Sequence, residues 1–262
     1  MRFLHTADWH LGRIFYGQYL TDDQAHVLEH QFFTILKEEK IDGILLAGDV
    51  FDRAVPPIEA IELWDSIITR LAMDYKVPLF VVSGNHDGAE RLEVGWSMLS
   101  RSGIHIWGSP HHALQPFEFE GSDGKVAICP MPFSEPRRIG DALGLSSSKP
   151  KLVDPDGAED SLLYYVDDKE QETSELNLHN YDQMYQAWSD YLYKQLPKRM
   201  RSIAISHAFV MGGEVGGSER TLSVGGSEQV SPHVFKNFHY TALGHLHGPQ
   251  RMGADHIRYS GS

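Results

Sequence analysis

Two patterns of apolar residues alternate along the first half of the chain. Short continuous apolar runs, typical of buried strands, are separated by longer segments in which apolar residues recur at helical spacing. The predicted strands of this half cover 2–7, 41–47 and 77–82, and the predicted helices cover 22–40, 58–74 and 91–101. Strand and helix units of this length predict a layered sheet with helices on its faces.

The second half of the chain is richer in predicted strands. A hairpin is predicted from 113–119 and 125–130, further strands from 202–206, 239–243 and 256–260, and one helix from 181–196. The polar segment 146–174 lacks periodicity, which predicts a flexible insertion at about 140–175. Because no repeat and no interdomain linker is visible, we expect residues 1–262 to form one α/β domain.

Composition and charge narrow the class of protein. The chain has 262 residues, of which 41% are hydrophobic and 23% are charged, as in ordinary globular proteins. No apolar run is long enough to span a bilayer, and a single cysteine, Cys129, suits the reducing cytoplasm. The net charge of −13 argues against a nucleic-acid partner. However, much of that charge lies in an acidic run at 154–175, which we interpret as a solvated surface, and carboxylates that bind cations are neutralised.

Five predicted strands end in a tight turn that carries histidine, aspartate or asparagine. The polar residues of these turns are Asp8 and His10; Asp49 and Asp52; Asn85, His86 and Asp87; His207; and His245 and His247. Sites in open α/β sheets lie just beyond the carboxyl ends of strands. One such turn would be a weak signal, since single histidines are commonly surface or core residues. Five of them predict a shared site.

The donor atoms of these turns limit the chemistry of the predicted site. Carboxylate and amide oxygens mixed with imidazole nitrogens, without sulfur, favour a divalent ion such as Mn²⁺, Fe²⁺ or Zn²⁺. Seven candidate ligands are too many for one ion and suit two ions that share a carboxylate. They are Asp8, His10, Asp49, Asn85, His207, His245 and His247. The preceding glycines Gly48, Gly84 and Gly244 would let the backbone approach metal or phosphate closely.

The five motifs resemble those of the calcineurin-like metallophosphoesterases, which have D-x-H, G-D-x-x-D, G-N-H-[DE], a single His and G-H-x-H. Longer stretches are similar to the SbcD family of bacterial nuclease subunits, relatives of the Mre-type repair nucleases. These stretches are LHTADWHLGR, AGDVFDRAVPP, GNHDGAERL, GGEVGGSERTLSVGGSEQV, and ALGHLHGPQ followed by IRYSGS. The resemblance covers essentially the whole chain and is weakest at about 140–174. It implies an α/β sandwich of two central sheets flanked by helices.

The resemblance also implies roles for the site residues. One ion would be held by Asp8, His10, Asp49 and His247, and the other by Asp49, Asn85, His207 and His245. His86 would contact the scissile phosphate and assist the leaving group. For Asp87 we expect a hydrogen bond that fixes a histidine tautomer.

Asp52 marks a departure from part of the family. Archaeal and eukaryotic relatives have a histidine at this position, so the exonuclease role of that histidine is not transferred. We expect Asp52 to orient His86 or a neighbouring ligand instead.

The activity that the resemblance implies is manganese-dependent hydrolysis of DNA phosphodiesters by a hydroxide activated by two metal ions. Members of the family are exonucleases on duplex ends and endonucleases on single strands and hairpins. They act as homodimers with the SMC-like ATPase SbcC in DNA repair, recombination and replication. The family continues beyond YSGS into a capping domain and an ATPase-binding segment, so we expect this chain to be the nuclease core.

Several alternatives remain open from the sequence. A phosphodiesterase for small nucleotides would use the same metal motifs, although the segment SER followed by SVGG argues against it. A non-catalytic scaffold would have lost ligands that are present here. Ser218 and Arg220 either line a DNA groove or belong to a plain loop, and the helices 58–74 and 91–101 either form a dimer interface or only cover the sheet.

Overall fold

The computed structural model describes residues 1–145, 178–216 and 228–262. The strands are β1 (Phe3–Thr6), β2 (Ile14–Phe15), β3 (Gln18–Tyr19), β4 (Gly43–Ala47), β5 (Leu79–Val82), β6 (Ile104–Trp107), β7 (Phe117–Gly121), β8 (Gly124–Met131), β9 (Arg201–His207), β10 (Phe209–Val210), β11 (Gln229–Val230), β12 (Tyr240–Gly244), β13 (Gln250–Arg251) and β14 (Ile257–Tyr259). The helices are α1 (Thr21–Val27), α2 (Phe33–Glu38), α3 (Ile58–Arg70), α4 (Ala89–Leu92), α5 (Trp96–Leu99), α6 (Pro136–Ala142) and α7 (Tyr181–Lys194). π-helical turns at Leu28–Phe32 and Leu71–Tyr75 continue α1 and α3.

The first sheet is parallel throughout and has the order β1-β4-β5-β6. Every residue of β4 and β5 is buried, as expected for parallel strands that are covered on both faces. All four carboxyl ends therefore lie at one edge of this sheet.

The second sheet has six strands in the order β13-β14-β12-β9-β8-β7. Its inner strands β8, β9, β12 and β14 run parallel, while β7 and β13 pair antiparallel at the two outer positions. Two small pairs complete the strands, with β2 antiparallel to β3 and β10 parallel to β11.

Three apolar layers hold these elements together. The middle layer lies between the two sheets and joins residues such as Leu45 and Phe80 to Ile128 and Ile205. On its outer face the first sheet packs against α2 and α3, and the second sheet packs against α7, whose Trp188 is fully buried. The predicted α/β sandwich of two central sheets flanked by helices is confirmed.

Most predicted elements are present with ends shifted by a few residues, but one predicted helix is divided and one strand was not predicted. The predicted helix at 91–101 is wrong as a single element, because Gly95 adopts a φ of 77° and separates α4 from α5. The strand β6 was not predicted, because its four residues include His105 and Trp107 in place of a continuous aliphatic run. The predicted insertion overlaps α6 at its start, and its part from 146 to 175, like the acidic run, lies outside the described residues.

No helix within the described ranges has the length and apolar character needed to traverse a bilayer.

Candidate metal centre

The five polar turns come together where the carboxyl ends of the two sheets meet. Three turns follow strands of the first sheet, namely β1, β4 and β5, and two follow β9 and β12 of the second sheet. The sheets face each other, so these ends converge although Asp8 and His247 lie near opposite ends of the chain. The structure thus brings the seven predicted ligand residues together at one place.

The first group of donor atoms consists of Asp8, His10 and His247. Ligand atoms of these three residues lie within 4.8 Å of one another. Nε2 of His10 is 3.1 Å from Nε2 of His247, so the two ring nitrogens point at the same space. Both oxygens of Asp8 also accept from the backbone N–H of His245, at 3.1 Å, which ties the turn after β1 to the turn after β12.

The second group consists of Asn85, His207 and His245. Oδ1 of Asn85 is 2.9 Å from Nε2 of His207 and 3.1 Å from Nδ1 of His245. The two ring nitrogens themselves are 3.3 Å apart. Three donor atoms from three different strand ends therefore face one point.

Asp49 lies between the two groups. Its Oδ2 atom is 3.6 Å from Nε2 of His10 in the first group and 3.5 Å from Nε2 of His207 in the second. Its Oδ1 atom accepts a hydrogen bond from the backbone N–H of His86, at 2.9 Å, which holds the carboxylate in place. This is the position that a carboxylate shared by two ions requires.

The spacing of the donor atoms fits metal coordination. Two donors bound to one ion at about 2.1 Å are separated by roughly 3.0–3.4 Å at octahedral or tetrahedral angles. The separations within the two groups, 3.1 Å in the first and 2.9–3.3 Å in the second, fall close to this range. The donor set and its geometry therefore fit a divalent ion in each group.

Electrostatics at the site also favour a cation. Burial raises the pKa of Asp49 well above its usual range, and the neighbouring charges of Asp87 and Asp8 raise it further. Burial, together with nearby His245, lowers the pKa of His207 well below its usual range. The Nδ1–H of His207 donates to the carbonyl oxygen of Ala47 at 2.9 Å, so the lone pair of the neutral ring is on Nε2, the atom that faces Asn85.

His86 borders the first group. Its Nδ1–H donates to the backbone carbonyl oxygen of Asp52 at 2.9 Å, and its ring packs edge-on against His10 with centroids 4.8 Å apart. A ligand atom of His86 also lies within 4.8 Å of ligand atoms of His10 and Asp49. The spacing thus admits His86 either as a contact to substrate or as a further metal ligand.

Asp52 contacts two neighbouring site residues in different ways. Its carbonyl oxygen orients His86, and its carboxylate Oδ1 is 3.6 Å from Nδ1 of His10. Both contacts agree with the expectation that Asp52 orients His86 or a ligand.

The expected role of Asp87 needs correction. Its buried carboxylate accepts from the backbone N–H groups of Val50, Phe51 and Gly84, at 3.2, 2.9 and 2.8 Å, instead of from a histidine ring. Burial raises its pKa to about 6 against the opposing effect of these donors. Asp87 therefore joins the turn after β4 to the turn after β5 and positions Asp49 and Asn85 through the main chain.

Four of the predicted ligand residues have an unusual backbone conformation. Asp8, His10, Asp49 and His245 have φ values of 56°, 46°, 51° and 115°, in a region that most side chains avoid. Strain of this kind persists where the surrounding structure enforces it, commonly at functional sites. The converging turns thus direct these side chains inward at a cost in backbone strain.

The three glycines next to the predicted ligands allow close packing, between the two sheets at Gly48 and Gly244 and between two turns of the first sheet at Gly84. A Cβ atom on Gly244 would overlap the carbonyl oxygen of Ala47, one on Gly84 would overlap the Asp49 carboxylate, and one on Gly48 would overlap the His207 ring. We expected these glycines to let the backbone approach a metal ion or a phosphate. The atoms that come closest to them are instead those of neighbouring protein segments.

Aromatic neighbours of the second group were missed by sequence reasoning. The Phe133 ring contacts His207 with centroids 6.3 Å apart, and the Phe209 ring contacts His245 at 5.7 Å. Their positions carried a usable signal, since Phe133 follows β8 at the same edge of the sheet and Phe209 is two residues beyond His207.

Other predicted residues lie away from the centre or outside the described ranges. His5 contacts the Tyr240 hydroxyl and the Leu243 carbonyl oxygen, at 3.0 and 3.1 Å, so it is packed between the two sheets and away from the centre. Ser218 and Arg220 fall in 217–227, outside the described residues.

Comparison with known proteins agrees with this geometry. The family model described as calcineurin-like phosphoesterase matches residues 1–249. The chain belongs to the calcineurin-like phosphoesterases. It is also 32% identical, over all of its 262 residues, to the SbcD subunit of the nuclease SbcCD from Staphylococcus epidermidis. The chain spans 61% of the length of that relative. Membership of this family makes the chain a metal-dependent phosphoesterase, and the clustered aspartate and histidine side chains are able to hold a metal ion.

Proposed function

We propose that this chain is the nuclease core of an SbcD-type enzyme, which hydrolyses DNA phosphodiester bonds with two Mn²⁺ ions. The observation that carries the proposal is the position of Asp49 between the two groups of donor atoms, with His86 beside them. The similarity to a component of the nuclease SbcCD supports DNA as the substrate.

Seven side chains would hold the two ions. Asp8, His10 and His247 with Asp49 form one set of ligands, and Asn85, His207 and His245 with Asp49 form the other. When bound, two ions of this kind activate water for in-line attack and neutralise charge on the phosphoryl oxygens.

His86 is proposed to act on the substrate. Because Nδ1 is engaged by the Asp52 carbonyl, the Nε2 atom is the part of the ring available to a phosphate. The protonated ring donates a hydrogen bond from Nε2 to the scissile phosphate and gives its proton to the leaving oxygen. Asp52 and Asp87 are positioning residues in this scheme, since their contacts are to His10, His86 and the main chain.

The proposed partners extend this function. We place the activity in the cytoplasm, in DNA repair, recombination and replication with an SbcC-type ATPase, as the name of the relative suggests a two-part assembly. The activities proposed are those of a duplex-end exonuclease and of an endonuclease on single strands and hairpins.

A homodimer is part of the proposal as well. Helix α3 and the segment after α4 expose apolar side chains to solvent. These are Ile58, Ile61, Val94, Trp96 and Met98. Sedimentation of the chain at micromolar concentration tests this point, and a monomer would contradict it.

Cleavage assays test the proposed substrate. Labelled single-stranded, hairpin and duplex DNA is incubated with Mn²⁺, beside bis-p-nitrophenyl phosphate, and an Asp49→Asn variant serves as the inactive control. We expect cleavage of DNA that is lost with chelator and in the variant. Robust cleavage of the small ester without any cleavage of DNA would contradict the proposal and favour a phosphodiesterase for small nucleotides.

A further inference from the structure

Four rings form a continuous row along one side of the second ligand group. Phe133 contacts His207, His207 contacts His245 with centroids 5.2 Å apart, and His245 contacts Phe209. The two imidazoles in the middle are buried, whereas the two phenyl rings at the ends are only partly buried. Apolar aromatic surface thus adjoins a site that is otherwise polar.

Hydrogen bonds anchor the backbone at Phe133 and at its two neighbours in the chain. The hydroxyl of buried Tyr185 donates to the carbonyl oxygen of Pro132 at 3.4 Å and accepts from the N–H of Ser134 at 3.3 Å. The N–H of Phe133 itself donates to the carbonyl oxygen of Ser83, in the turn that carries Asn85, at 2.9 Å. The backbone that carries the ring is therefore tied to the turn of Asn85, and Phe133 contacts His207 while it stays partly exposed.

The backbone at Phe209 is anchored in a similar way, next to the second sheet. It lies in β10, which pairs with β11, and the next residue, Val210, donates its N–H to the hydroxyl of buried Tyr259 at 2.9 Å. That hydroxyl in turn donates to the carbonyl oxygen of Ala208 at 2.6 Å. Buried tyrosine hydroxyls thus anchor the chain next to both phenylalanines.

We propose that Phe133 and Phe209, the aromatic wall, form a subsite that stacks an unpaired nucleobase adjoining the scissile phosphate. The inference rests on the proposed function. A phosphate bound at the second ligand group leaves its nucleoside within reach of rings that contact His207 and His245. Partly exposed aromatic rings on an anchored backbone are surfaces on which single-stranded bases stack, and such stacking tolerates any base because each has a π-face.

This subsite would let the enzyme distinguish unpaired from paired DNA. A paired base inside a duplex cannot offer its face to a side chain, whereas a base in a single strand, a hairpin loop or a frayed end can. The aromatic wall therefore favours linkages next to unpaired bases.

The test removes the base without removing the phosphate. A labelled oligothymidylate and the same strand with one central tetrahydrofuran residue are cleaved by the full chain with Mn²⁺, and the rate is measured at the linkages that flank the modified position. We expect the wild-type chain to cut the base-bearing linkage about tenfold faster or more, the size of one stacked base. Phe133→Leu and Phe209→Leu should lower this ratio toward one, and Phe133→Tyr should keep it.

A purely structural role of the wall gives a different result. If the phenyl rings only support His207 and His245, the leucine variants would slow both strands by the same factor and keep the ratio, which would overturn the inference. Tyr193→Leu, which removes an exposed aromatic ring on α7 away from the centre, is the matched control and should keep both rates. Equal wild-type cleavage of both strands would contradict the inference alone, whereas cleavage of neither strand beside an active small ester would contradict the proposed function too.

Discussion

The Nδ1 atom of His86 lies 2.9 Å from the backbone carbonyl oxygen of Asp52. Because a carbonyl oxygen accepts hydrogen bonds and cannot donate them, Nδ1 carries the hydrogen and Nε2 is left for the substrate. The main chain of one turn thus places the hydrogen of a histidine in another turn. Because this bond comes from the backbone of Asp52, replacing the Asp52 side chain keeps it, and variants of Asp52 and His86 can be compared.

Replacing His86 by alanine should abolish cleavage without removing metal. We expect the rate to fall by about 10²- to 10⁴-fold, the usual contribution of a general acid, while the seven ligand side chains remain. Metal content by mass spectrometry and cleavage of labelled single-stranded DNA, whose leaving alkoxide needs a proton, are measured together. His30→Ala, on the exposed surface next to α1, is the control. Loss of bound metal in the His86 variant would show that His86 is a ligand.

Asp52→Ala should behave differently from the His86 variant. The bond to His86 comes from the main chain and survives, whereas the carboxylate beside Nδ1 of His10 is lost. Loss of such a carboxylate partner commonly weakens metal binding by about 10- to 100-fold. We therefore expect excess Mn²⁺ to restore cleavage by this variant. A defect that no Mn²⁺ concentration reverses would place Asp52 in the chemical step instead.

Sequence and structure agree most closely for residues whose position follows from a strand end. Asp8, Asp49, Asn85, His207 and His245 were predicted because polar groups directly follow buried strands, and parallel strands bring their carboxyl ends together. The role of Asp87 could not be predicted in this way. Its partners are backbone N–H groups of another turn, and every residue type except proline offers one.

The backbone strain and the close packing of the site could not be predicted from the sequence either. Aspartate and histidine tolerate a positive φ better than most residues, but these residue types do not by themselves predict it at Asp8 and His10, where the converging turns impose it. Likewise, the need for glycine at Gly244 depends on the carbonyl oxygen of Ala47 in the other sheet. Such contacts become visible only when the packing of the two sheets is known.

Asp87→Ala should lower the stability of the fold far more than the loss of an exposed aspartate does. Three backbone N–H groups would lose a buried charged acceptor, so we expect a loss of about 3 kcal/mol or more in the free energy of unfolding. Urea denaturation in chelator isolates this effect from metal binding. Asp74→Ala removes an exposed aspartate and should cost little. A loss below about 1 kcal/mol for Asp87→Ala would contradict its role in joining the two turns.

The contribution of His105 to stability in chelator should fall as the pH decreases from 6.5 to 4. Burial among aromatic rings lowers the pKa of His105 from 6.5 to about 4, with Phe80 stacked at 5.3 Å and Phe117 at 4.2 Å between centroids. Between these pH values the unfolded chain binds a proton that the folded chain does not, so acid favours unfolding.

The variant His105→Phe isolates this contribution. It keeps an aromatic ring in the stack and removes the titrating group, so the urea midpoint of the variant relative to that of the wild type should rise as the pH is lowered from 7 to 5. The comparison with the wild type cancels the other buried groups, of which His5, with a pKa lowered to about 4, favours unfolding in acid and Asp87, with a pKa raised to about 6, opposes it. Identical pH profiles of variant and wild type would contradict the assignment.

The central claim is that Asp49 is shared by two metal ions, and the number of bound ions tests it most directly. The full chain is loaded with Mn²⁺, freed of excess ions and measured for metal per chain, together with His247→Ala, Asn85→Ala and Asp49→Ala. We predict two ions in the wild type, one ion when a ligand of a single group is removed, and a loss at both positions for Asp49→Ala. One ion per wild-type chain, or an Asp49→Ala variant that keeps a full complement at either position, would contradict the account.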